Sequence, residues 1–77
     1  MHQKFISPAS FSRALCHLVA LGTLSASEAV KYRSGVVPHD FQLLLPHGAV
    51  MRHSPGGYVI QGGNPGAFQA DLAWALA

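Results

Sequence analysis

Seventy-seven residues carry 49% hydrophobic and only 10% charged side chains, with a net charge of +2; an ordinary globular domain is about 25% charged. That length makes one small domain, residues 1–77, with a marginal core and no room for a second. The apolar surplus implies that a protein partner, or a second copy of the chain in a homodimer, covers part of the surface.

The basic residues include Arg13, Lys31, Arg33 and Arg52, which are scattered and form no run. Tight DNA or RNA binding requires several phosphates to be neutralised together, so this distribution argues against it. One cysteine, Cys16, excludes an internal disulfide, and a reducing, cytoplasmic setting is expected. The residues around Lys4, Phe5 and Ile6 show no long apolar signal region, and no run of 18 apolar residues suggests a membrane span.

Ser7-Pro8 starts the first expected element: Ser7 can cap a helix and Pro8 suits its first position. Ile6 and Phe11 fit the two ends of a hydrophobic staple. Phe11, Ala14, Leu15, Leu18 and Val19 recur at helical spacing, so a helix is expected over about 8–21, ended by Gly22. Ser25-Ala26-Ser27-Glu28 reads as a capping box. The helix it opens should run to Ser34, with Lys31 and Arg33 favourably placed in its last turn and Gly35 as its left-handed terminator.

Val37 before Pro38 turns the chain extended. Strands are expected at 41–45, 49–53 and 58–61, as a three-stranded antiparallel meander. Pro46-His47-Gly48 and Ser54-Pro55-Gly56-Gly57 supply its turns. Gly62-Gly63 ends the sheet, and Asn64-Pro65 opens a last helix over about 65–76. Only Gln69 and Asp71 are clearly polar in that helix, so it is apolar nearly all round. A helix of that kind is normally buried, and in a chain this short its burial is expected to need a second chain. The fold class expected is therefore α+β.

Catalytic and metal chemistry find little support. Cys16 and His17 are neighbours on a helix and point about 100 degrees apart; a nucleophilic pair would need His39, His47 or His53. Those three histidines with Asp40 could ligate zinc, but their spacing matches no compact zinc motif. The paired glycines at 56–57 and 62–63 match neither a phosphate loop nor a dinucleotide fingerprint and read as turns. Glu28 is committed to a cap, leaving Asp40 and Asp71 without sign of a carboxylate pair. No enzyme, cofactor or metal is expected.

The order of elements also resembles a winged helix: two helices, a short third at 38–45, and a hairpin at 49–61 carrying Arg52 and His53 on its wing. This resemblance covers most of the chain but rests on order alone. It implies a DNA-binding regulator whose recognition helix would be Pro38 to Leu45. That segment offers only His39 and Gln42 to base edges and carries the charge of Asp40. The reading preferred here is a non-catalytic protein-interaction module, an inhibitor or adaptor of a larger bacterial or phage complex. Its expected partner-binding residues are Trp74, Phe68, Tyr58 and Arg52, because aromatics and arginine dominate interface hot spots.

Overall fold

The computed structural model describes residues 2–77. In chain order the elements are β1 (His2–Ile6), α1 (Pro8–Ala20), α2 (Ala26–Arg33), β2 (Gln42–Leu44), β3 (Val50–Ser54), β4 (Gly57–Gly62) and α3 (Pro65–Leu76). The fold is α+β, with one antiparallel sheet in the order β1-β4-β3-β2.

Local chemistry sets the helix ends. The Ser10 amide donates to the Ser7 hydroxyl, and the Glu28 amide to the Ser25 hydroxyl. The Ser25 hydroxyl in turn donates to Glu28 Oε1 at 3.0 Å. The Asn64 side chain accepts from the Ala67 amide at the start of α3. Beyond α1 and α2, Gly22 and Gly35 take φ of +80° and +93°. These are left-handed values that a side chain rarely tolerates. Behind each glycine the next amide reaches back five residues, Thr23 to the Leu18 carbonyl and Val36 to that of Lys31. This closes both helices in Schellman fashion.

The expected meander is present as β2-β3-β4, but the sheet has a fourth strand. β1 lies along β4, with Gln3 opposite Gln61 and Phe5 opposite Val59. No helix forms over 38–45, so the winged-helix arrangement lacks its recognition helix. The Phe41 amide donates to the Pro38 carbonyl in a turn. Gln42, Leu43 and Leu44 then pair with Arg52, Met51 and Val50. Leu43 faces inward and its two neighbours outward, which is the period-two pattern of a strand.

All three helices lie on one side of the sheet. Ile60 and Met51, paired across β4 and β3, are fully buried and join Phe11, Leu15, Leu18 and Phe68 in the core. Helix α3 approaches closely because Gly62 lacks a side chain: a Cβ there would stand 3.2 Å from Phe68 Cβ. Helix α3 buries Phe68, Asp71 and Ala75 on one side, while Leu72 and Trp74 are half-buried and Leu76 is exposed. Asp71 was expected among its polar positions, yet it is fully buried. The total surface is 4470 Å², close to the roughly 4,500 Å² typical of a folded monomer this size. Among the described residues no helix is long and apolar enough to cross a membrane.

Candidate functional site

Cross-strand partners share a face, so the register defines what the uncovered side of the sheet displays. One row there is Phe5, Val59, Arg52 and Gln42; the next is Gln3, Gln61, Val50 and Leu44. Val59 is buried yet stands outside the helix-side core cluster.

Arg52 sits near the middle, on an interior strand, and is half-buried. Its Nη1 donates to Gln61 Oε1 at 2.9 Å, and Gln61 Nε2 donates onward to Gln3 Oε1 at 2.9 Å. This chain of side chains holds the guanidinium against the sheet. No carboxylate forms an ion pair with Arg52 among the described residues. Phe5 and Leu44, 49% and 71% exposed, flank it on the two edge strands. The Phe5 ring lies over the β3–β4 turn, where a Cβ on Gly56 would stand 3.0 Å from it.

The other three expected partner-binding residues are elsewhere. Phe68 is buried in the core and stacks with His2. Tyr58 faces the helices, its ring parallel to that of Phe11 at 3.6 Å between centroids. Trp74 is half-buried at the margin of α1 and α3, with His17 at 5.4 Å between ring centroids. The four residues therefore form no common surface. Two shallow grooves meet at Leu21, one lined by Leu18, Thr23, Leu44 and Pro46, the other by His17, Ala20, Trp74 and Ala77. His17 Nε2 is buried there without a hydrogen-bond partner among the described residues.

The histidines weighed for zinc separate in space. His39 and His53 line one cleft with Pro38 and Pro55, while His47 Nδ1 lies 2.8 Å from Asp71 Oδ1. Asp71 also accepts from the His47 amide at 2.9 Å and, through Oδ2, from the Ala49 amide at 2.8 Å. The carboxylate thus ties α3 to the β2–β3 turn. Its position explains why a charge is buried here: three donors replace the water it loses. Among the described residues no three metal-ligating side chains come together. Cys16 is exposed in a groove with Val19, Val30 and Arg33 and no histidine in its lining.

Sequence reasoning missed Phe5, Leu44, Gln61 and Gln3 as members of this face. Their grouping depends on pairing β1 with β4, and no local pattern around residues 2–6 announces that pairing. Comparison with protein-family models, curated proteins and solved structures finds no match for this chain.

Proposed function

We propose that this chain is a non-catalytic protein-interaction module that seats its partner on the uncovered face of the sheet, acting by occupancy as an inhibitor or adaptor of a larger assembly. The observation that carries this reading is the placement of Arg52: central on a rigid interior strand, steadied by Gln61, and bordered by exposed Phe5 and Leu44. Interface hot spots combine an anchored arginine with an apolar surround that excludes water. The backbone beneath Arg52 is hydrogen-bonded on both sides, so docking there costs little ordering. A regulator that reads DNA with a helix over 38–45 is not supported, because that segment forms a turn and a strand.

A second reading, self-association at the other end of the molecule, is favoured by the two grooves around Leu21. Their lining side chains include no Lys, Arg, Asp or Glu, so two copies meeting there would bring apolar side chains together. One experiment separates the two. Tagged wild type, F5D and L21D are used to capture binding proteins from host extract, and the mass of each free protein and complex is measured; Phe5 is chosen because Leu44 borders both surfaces. The sheet-face reading predicts a partner retained by wild type and L21D and lost by F5D. Loss in L21D alone, or a wild-type dimer that only L21D dissociates, contradicts it.

A further inference from the structure

We infer that the partner segment received by the sheet face is acidic, presenting a carboxylate to Arg52 between apolar side chains that cover Phe5 and Leu44; this rests on the protein-interaction reading above. The argument is one of charge complementarity. The outer rows contain one cation, three glutamines and no acid. The three acidic residues of the chain are Glu28, Asp40 and Asp71. Glu28 is held at the start of α2 by Ser25 and Tyr32, and Asp71 is buried on the helix side among its own donors. Asp40, in the turn before β2, makes no ion pair with Arg52.

Gln61 takes only one guanidinium nitrogen, Nη1, and Nε and Nη2 find no acceptor among the described residues. A planar fork of free donors is matched by a carboxylate, which accepts two of them at once. Covering Arg52 with a neutral apolar segment would bury an unpaired charge, which is strongly unfavourable. Phosphate offers the same acceptor geometry, but affinity for a nucleic-acid strand grows with the number of phosphates neutralised. This face supplies one cation, so an acidic peptide is the better match. Its length is short: four strands about 4.8 Å apart span roughly 14 Å, crossed by about four or five extended residues.

The test is selection of binders from a displayed random peptide library against the full chain as wild type, R52E, R52Q and F5D. Wild type is expected to enrich peptides with Asp or Glu flanked by apolar residues. R52E is expected to reverse the preference toward Lys and Arg, and R52Q to weaken the wild-type peptides about tenfold or more. Three results overturn the inference. Peptides lost on F5D but showing no acidic preference, or bound equally by R52Q, refute the acidic partner while leaving protein interaction at this face intact. Selected peptides that bind F5D as well as wild type refute both, because the sheet face is then not the binding surface. Binding of single-stranded oligothymidylate that depends on Arg52, with no peptide enriched, replaces the acidic segment with a nucleic acid.

Discussion

Replacing Asp71 with alanine tests the internal device that joins α3 to the sheet. The substitution strands the Ala49 amide, which is buried, and the His47 amide, which is partly so. The His47 side chain is 49% exposed, so its hydrogen bond with Asp71 competes with water and contributes the least. A hydrogen bond to a charged acceptor is worth about 1.5–3 kcal/mol net. Counting the two amides and allowing some rescue by water at His47, D71A should cost about 3–5 kcal/mol, the range found when one partner of a buried charged network is removed. A domain of this size holds about 4–12 kcal/mol in total. D71A should therefore lower the melting temperature by about 15–30 °C. D71N keeps one acceptor oxygen and turns an NH2 toward the other donors, so it should cost less than D71A but more than H47A. Urea denaturation followed by Trp74 fluorescence and by far-ultraviolet circular dichroism measures all three. A D71A chain within 1 kcal/mol of wild type, or an H47A chain as damaged as D71A, would refute the assignment of stability to the amide donors.

Three further outcomes follow from the packing. G62A forces its new Cβ to 3.2 Å from Phe68 Cβ and 3.4 Å from Ala49 Cβ; overpacking of this kind should cost about 1–3 kcal/mol in the same urea assay, and a neutral result would show that α3 is not tightly seated. H17L removes a buried nitrogen without a partner and should raise stability by up to about 1 kcal/mol, whereas a large loss would mean that His17 Nε2 has a partner after all. Tyr32 has its pKa raised above 10.0, by burial first and then by the charge and hydrogen bond of Glu28. The folded state therefore keeps the phenolic proton longer than the unfolded state, so this contribution is present below the unfolded value and is lost as pH rises through the folded one. Wild type should lose more stability than Y32F does as pH rises above 10; equal losses would exclude Tyr32 as the cause.

The helices were readable because their signals are local. Ser7-Pro8, Ser25 to Glu28 and Asn64-Pro65 each place a capping oxygen within three residues of the amide it receives, and glycine closes the first two helices a few residues on. The hairpin turns were readable for the same reason. Strand β1 was not: His2 to Ile6 alternates poorly, and the Gln3–Gln61 hydrogen bond spans 58 positions. Without β1 the outer face cannot be assembled, so Arg52 could be named while its surroundings could not. Phe68 and Tyr58 stand out in the sequence only as aromatics, and composition does not say which side of the sheet an aromatic takes. Asp71 misled for a related reason. A carboxylate on a helix reads as an outward residue until a turn brings two amides and an imidazole to it.

The most direct test of the sheet-face reading is a side-chain footprint of the captured complex, comparing labelling of the free and bound chain by a short-lived carbene reagent. Binding at the uncovered sheet predicts protection of Phe5, Leu44, Arg52 and Gln61, with Leu21 and Trp74 labelled as in the free chain. Protection of Leu21 and Trp74, with Phe5 and Arg52 unchanged, would contradict it and move the interface to the α1–α3 end.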